Sequence, residues 1–303
     1  MTAEAAIPAT PSPRPTRTPP RRKGHWFWGC LMEMIEDRSG FLVDKHEEHG
    51  DVFVSRALLR DLLFVRDPAL VYAINVTHWA DFYKPEHIKR MWKPFLGNGL
   101  VPNDGESWKR QHKLILPGFH KKRIDAYATT MVEFTNRMIG RWTEGERRDM
   151  RLELNGLALE VVADTLFDID IGKDDSKTIR DAIGEVSEIL VTDGDKMIPR
   201  PDWWPTESNR RKKRAIKEIE AIIERVHKER LESQEDRGDL FSHMVFVEDE
   251  QGRMSDQQLR DEAMTLIFAG HETTAHALTW TWYLLAKNPD KAEKLREEVD
   301  RVL

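Results

Sequence analysis

Ala269-Gly270-His271-Glu272-Thr273-Thr274 sits in the middle of a run, Asp256 to Lys287, that otherwise carries apolar residues at helical spacing. Several of its members are locally unfavourable in a packed helix. Glycine costs roughly 1 kcal/mol against alanine in a helix interior. A threonine hydroxyl competes for the carbonyl four residues back. A carboxylate on an apolar stretch must be paired, solvated or functional. Such departures, crowded between Gly270 and Thr274, mark a site rather than a packing surface.

The helix around this stretch has clear ends. Ser255 followed by Gln258 fits a capping box. Asn288-Pro289 ends it at Lys287, and Pro289 suits the first position of the next helix. About 32 residues at 1.5 Å rise span roughly 48 Å. The following helix, 289–302, carries an apolar stripe of Ala292, Leu295, Val299 and Val302 that needs a partner.

The spacing of the histidines excludes a zinc-peptidase reading. Such a site needs two His four apart on one face. Here His271 is followed by His276, about 140° away around the helix. His46 and His49 are three apart, but no third ligand accompanies them, and a solvated helix end is the simpler expectation. Gly270 instead lets a small or flat group approach the helix wall, and Thr273 shares its face. The Thr273 hydroxyl either bonds the Ala269 carbonyl or turns toward a ligand. Glu272, next to it, can pass protons inward. A kink at the Gly/Thr pair is physically reasonable.

Outward from this helix the chain is predominantly helical. Residues 1–24, rich in Pro, Thr, Ala and Arg, read as a disordered tail. Helices are expected at 31–49, 68–74, 105–116, 121–144, 151–168, 176–192, 207–232 and 238–247, besides 256–287 and 289–302. Asp51–Ala57 and Leu62–Val65 read as short strands. The basic run Arg210 to Arg214 reads as a solvated face of its helix, and Arg21-Arg22-Lys23 as part of a solvated tail. Trp26, Trp28, Trp203 and Trp204 lie near Pro or Gly, where they would anchor loops or line an apolar entrance; core packing is the default role for such aromatics.

The bulk numbers narrow the function classes. Of 303 residues, 33% are charged and the net charge is −6, which argues against a general nucleic-acid binder. No apolar run is long enough for a transmembrane helix, and no signal peptide is visible. The single cysteine, Cys30, excludes an internal disulfide framework and reads as a buried structural thiol. A cytoplasmic protein is expected.

A second constellation lies earlier, in Gly105-Glu106-Ser107-Trp108-Lys109-Arg110-Gln111-His112 followed by Leu116-Pro117-Gly118-Phe119. Trp108 and His112 are four apart on one helix face. An indole and an imidazole N–H together can hold a carboxylate; taken alone, a core Trp beside a surface His explains the pair as well.

With both constellations in view, residues 25–303 resemble the cytochrome P-450 family of haem-thiolate monooxygenases. The family's oxygen-activating helix carries Ala/Gly-Gly-x-Asp/Glu-Thr-Thr, matched by Ala269 to Thr274 at every specified position. Its propionate-binding helix carries Trp-x-x-x-Arg, often followed by Pro-x-Phe. Here that pattern reads Trp108 to His112, then Pro117-Gly118-Phe119, with His in place of Arg. Gly97-Asn98-Gly99-Leu100, Asp104-Gly105 and Met254 to Leu259 also look like that family.

The resemblance implies a mainly α fold with a small β region near the N-terminus. It implies haem (iron protoporphyrin IX) lying against Ala269, Gly270, Thr273 and Thr274, with Trp108 and His112 on its propionates. Thr273 and Glu272 would be the catalytic, proton-steering residues. One oxygen atom of O2 would enter a small, apolar organic substrate. Electrons would come ultimately from NAD(P)H through a flavin or iron–sulfur partner. Phe82 to Phe95 and Ile189 to Pro205 would supply substrate contacts. The family pattern continues with a Glu-x-x-Arg helix and an axial Cys, expected beyond Leu303, so the chain looks like a C-terminally truncated, partial fold. Glu298 and Arg301 have the Glu-x-x-Arg spacing but read as a surface pair. The alternative is a non-catalytic helical remnant, or a binding module without haem.

Overall fold

Helix α11 (Asp256–Lys287) runs through the larger of two units and organises the packing around it. In a computed structural model of the chain, residues 18–168, 173–194 and 204–302 are described. The units are Met1–Phe82 and Tyr83–Leu303.

The first unit holds helices α1 (Leu31–Glu36) and α2 (Arg38–His49), strands β1 (Val52–Ala57) and β2 (Arg60–Val65), and helix α3 (Pro68–Tyr72). The single helix expected over 31–49 is two. Asp37 leaves helical geometry at φ −147° and its carboxylate accepts the Gly40 amide at 2.9 Å, so the second helix starts afresh. β1 and β2 form an antiparallel hairpin with Val52 opposite Val65 and Ala57 opposite Arg60. The end of the expected tail is ordered beside it. Val54 N donates to Pro20 O at 2.9 Å and Arg22 N to Val54 O at 2.8 Å. Arg21 pairs with Asp61, and Arg22 with Glu33 at 2.6 Å, so two of that basic cluster's three charges are spent within the unit. His46 is buried rather than solvated: its Nδ1 lies 2.9 Å from Gly50 O and its ring meets Phe53 edge-on. Cys30 is buried, as expected for a structural thiol. Trp26 is 80% exposed, so it is not core packing.

The second unit contains α4 (Glu86–Leu96), α5 (Gly105–Ile115), α6 (Lys121–Ile139), α7 (Met150–Phe167), α8 (Lys173–Gly194), α9 (Glu207–Ser233) and α10 (Leu240–Phe246). A two-residue hairpin, β3 (Glu248–Asp249) and β4 (Gly252–Arg253), leads into α11 and then α12 (Pro289–Val302). α4 and the β3–β4 hairpin were not expected. Pro94 near the end of α4 masks it in sequence, because proline is normally excluded from a helix interior. Trp204 is exposed as well, and Trp203 lies outside the described residues.

α7 is apolar around its circumference, and it is correspondingly enclosed, packing against α6, α8, α10 and α11. α9 is amphipathic. Ala215, Ile216, Ile219, Ile222, Ile223 and Val226 are buried while Lys213, Arg214 and Lys217 face water. Each fully buried Leu, Ile or Phe in such a core contributes about 1.5–3 kcal/mol. Arg230, fully buried, ends this apolar stripe. Its Nη2 donates to Phe167 O at 2.5 Å and to Asp239 at 3.2 Å, and its Nε donates to Ser242 Oγ at 2.9 Å. Asp239 in turn caps α10 through the Ser242 amide. One buried ion pair thus joins the ends of α7 and α9 to the start of α10.

α11 is helical without a break through Gly270 and Thr273. Ser255 Oγ accepts the Gln258 amide at 3.2 Å, as the capping signal predicts. Its last turns expose Trp280, Trp282, Tyr283 and Leu284, and α12 exposes Leu295, Val299 and Val302. The apolar stripe foreseen on α12 is therefore present and uncovered.

Candidate functional site

The motif residues on α11 divide between two directions. Ala269, Thr273 and Thr274 are exposed on one side. His271 is buried, and Gly270 and Glu272 are partly buried. Thr273 Oγ1 donates to Ala269 O at 2.6 Å, the first of the two states open to it from sequence. That bond occupies the carbonyl one turn back and holds the hydroxyl against the helix.

Gly270 faces α7. A β-carbon there would come within 3.0 Å of Val162 Cγ2, so the missing side chain permits the close crossing of these two helices. Immediately afterwards, consecutive residues are fastened to different helices. His271 Nε2 lies 3.0 Å from Asn155 Oδ1 on α7, and Glu272 Oε2 accepts from Ser187 Oγ on α8 at 2.7 Å. Burial, opposed by Asn155 and aided by Arg180 and His276, pushes the His271 pKa down to about 4, so the ring is neutral at physiological pH. Its Nδ1 is buried without a hydrogen-bond partner. Asn155 and Ser187 carry no motif signal in sequence, and only their placement reveals them.

One turn earlier, Phe268 meets Trp92 and Phe95 of α4, each with ring centroids 5.2 Å apart and close to edge-on. Trp92 and Phe95 stand on helix α4, within one of the two segments expected to contact substrate. The other expected substrate segment, Ile189 to Pro205, lies largely outside the described residues.

Trp108 and His112 come together on α5 as the four-residue spacing requires. Their rings stack with centroids 5.0 Å apart and 23° between planes. His112 is exposed and Trp108 half-buried, so a ligand can reach the pair. Lys84 Nζ stands 6.0 Å above the Trp108 ring and donates to Leu100 O at 2.8 Å and Asn103 O at 2.6 Å. Burial pulls its pKa below the ordinary lysine value.

α5 is linked to α11 through the hairpin that precedes α11 and through the loop that precedes α5. Arg110 grips Asp249 in a fork, Nε at 2.8 Å and Nη2 at 2.9 Å, and reaches Gly252 O, which fixes α5 to the hairpin preceding α11. The Asn98 amide donates to Asp261 Oδ2 at 2.7 Å, and the Leu100 amide to Glu262 Oε2 at 3.0 Å. Gly97 and Gly99 make this approach possible. A β-carbon on either would lie 2.1 Å from the Asp261 carboxyl or the Thr265 hydroxyl, respectively. Glu262 and Gly270 are eight residues apart on α11, about 12 Å along its axis. The stacked pair and the exposed hydroxyl face thus belong to helices braced on one another.

The donor set suits one side of a haem and its carboxylates. Ala269 and Thr273 offer an open helix face, and His112 an accessible imidazole beside an indole. An axial thiolate does not fit Cys30, which is fully buried with its Sγ 3.7 Å from Met34 Sδ. Among the described residues no three His, Cys, Asp or Glu side chains gather as a metal cluster.

The described residues thus combine a long helix that carries an exposed hydroxyl and a carboxylate held by a neighbouring helix with, on α5, a stacked Trp/His pair. The family model described as Cytochrome P450 matches residues 19–303, and the chain belongs to that family. It is 34% identical to cyclooctatin synthase of Streptomyces melanosporofaciens, over 84% of this chain and 56% of that protein. It is 31% identical to the chloroplastic cytochrome P450 97B1 of Pisum sativum, over 91% of this chain and 55% of that protein. Cyclooctat-9-en-7-ol 5-monooxygenase of Streptomyces melanosporofaciens is 30% identical over 70% of this chain and 46% of that protein. The chain spans about half the length of the relatives it matches.

Proposed function

We propose that this chain forms the oxygen-helix and propionate side of a haem-dependent monooxygenase that inserts one atom of O2 into an apolar organic substrate. The observation that carries this reading is the exposed face of α11, where Thr273 Oγ1 and Ala269 stand open beside a carboxylate held by a neighbouring helix. Family membership and the name of one relative, a monooxygenase acting on cyclooctat-9-en-7-ol, support it.

The placement of each residue supports a role in this reading. Trp108 and His112, two stacked N–H bearing rings, would donate to the haem propionates. An imidazole N–H can donate without the permanent charge of arginine. Ala269 and Thr274, on the exposed side of α11, would border a bound haem, and Gly270 keeps α11 close to α7. Bound haem supplies the redox chemistry that activates O2. Thr273 Oγ1 holds a proton on that face and exchanges its bond to Ala269 O for one toward the ligand. Glu272 receives protons from solvent and delivers them to that hydroxyl, with Ser187 fixing its carboxylate. The aromatic group of Phe268, Trp92 and Phe95 gives α11 an apolar neighbour on the α4 side, which suits an apolar substrate. Electrons come from NAD(P)H through a flavin or iron–sulfur partner, and the protein works in the cytoplasm. Among the described residues no helix is long and apolar enough to cross a membrane.

Turnover of the haem-loaded protein with a surrogate redox partner under isotopically labelled O2 tests the reading. One labelled oxygen atom in the product is expected. Product oxygen drawn from water would overturn it, and so would a protein that takes up no haem.

A further inference from the structure

We propose that Glu262 is a proton-dependent latch whose carboxyl group holds the Gly97–Asp104 loop, and with it helix α5, against the first turns of α11, and loosens that hold when it ionises. The latch is a property of the chain itself. Only its consequence for Trp108 and His112 rests on the haem reading.

Two neighbouring acids grip the same loop in different ways. Asp261 is fully served as an anion. It accepts from the Asn98 amide at 2.7 Å, from Gln257 Nε2 at 2.8 Å and from Arg260 Nη1 at 2.7 Å. Glu262 accepts only the Leu100 amide, at 3.0 Å, and its Oε1 is buried with no hydrogen-bond partner. Glu262 is 0% exposed. An ionised carboxylate with one donor and a bare buried oxygen is costly; a protonated one is far less so.

The charged groups facing Glu262 do not rescue the anion. Asp261 on the same helix adds like charge. Lys84, from the segment before α4, opposes it, but the ammonium is already committed to Leu100 O and Asn103 O. Burial first, then Asp261, push the Glu262 pKa up to about 7, against the Leu100 amide and Lys84. When the loop lifts, water reaches the carboxylate and the cost of ionisation disappears. Docking therefore takes up a proton near neutrality, and raising the pH favours the lifted loop.

The loop has the mechanical link to transmit this. Gln111 on α5 donates to Asn98 O at 3.0 Å and accepts from Asn103 Nδ2 at 2.7 Å, so α5 follows the loop. Arg110 still anchors α5 to the β3–β4 hairpin when the latch opens. The expected motion is a loosening of the loop end of α5, toward Trp108, about that anchor.

Hydrogen exchange of the haem-free chain, followed by mass spectrometry from about pH 6 to about pH 8, tests the latch. The readout is protection of peptide 97–104 relative to peptide 215–226 of α9 in the same molecule, which cancels the intrinsic pH dependence of exchange. In the wild type this ratio should fall about ten-fold across that range, following the lost proton. Glu262→Gln keeps the acceptor for Leu100 and removes the charge, so its ratio should stay flat. A flat wild-type ratio overturns the proposal, as does an equally steep fall in Glu262→Gln. If Glu262→Gln fails to fold, the wild-type profile decides alone.

Discussion

Ser187 Oγ on α8 donates to Glu272 Oε2 on α11 at 2.7 Å, so the carboxylate at the centre of the long helix is held by a different helix. A hydroxyl holding a half-buried carboxylate is worth about 1–2 kcal/mol. Ser187→Ala and Glu272→Gln should each destabilise the chain in urea, and the double variant should lose less than the sum. A coupling energy of about 1 kcal/mol is expected from the cycle. A coupling near zero would show that water serves the carboxylate equally well.

Thr273→Ala removes the hydroxyl that donates to Ala269 O. The bond lies on an exposed face, so stability should change by less than about 0.5 kcal/mol. In the haem-loaded protein NAD(P)H consumption should continue while product falls and hydrogen peroxide rises. Unchanged coupling of electrons to product would remove Thr273 from proton handling.

Titration of the chain with haemin, followed by its Soret absorbance, addresses α5. Replacing Trp108 and His112 together by alanine should weaken binding about ten-fold or more, corresponding to the loss of about 1.4 kcal/mol. Equal affinity in the double variant would argue against propionate contacts on this helix.

His271 gives the chain an acid-labile element. Its folded pKa, about 4, lies below the ordinary 6.5, so the unfolded chain binds a proton that the folded chain refuses between those values. Stability from this group is complete above about pH 6.5 and declines as the pH falls to about 4. Glu262, with its raised pKa, acts in the opposite sense over much of the same range. The two effects separate by variant. His271→Gln should be less stable than wild type at pH 7, and the gap should close by up to about 3 kcal/mol on acidification. A constant gap in urea denaturation across that range would refute the assignment.

Much of this structure is legible in the sequence because periodicity and caps act locally. The ends of α11 follow from Ser255 and Asn288-Pro289, and the Trp108/His112 stack follows from a spacing of four. What escaped is a helix with a proline inside it and partners far apart in the chain. α4 is hidden by Pro94, and Asn155 and Ser187 gain meaning only from the crossings of α7 and α8 with α11. Gly270 illustrates the ambiguity of an isolated glycine. Its sequence context suggests an opening for a ligand, whereas its absent side chain makes room for Val162. The split at Asp37 was readable in principle, because Asp with Gly three residues on is a capping arrangement whose side chain competes with helix continuation.

The bracing of α5 has a consequence for how the polypeptide matures. Leu100 and Glu262 are separated by 162 residues, and Arg110 and Asp249 by 139. At typical synthesis rates of about 5–20 residues per second, these partners leave the ribosome roughly seven to thirty seconds later. Throughout that interval the Asn98 and Leu100 amides and the guanidinium of Arg110 have no native carboxylate acceptors to meet. The stacked Trp108/His112 pair forms early, since it is local, but its orientation is settled among the last events of folding. On the proposed haem reading, cofactor capture by this helix would be a late step, gated by arrival of the long helix.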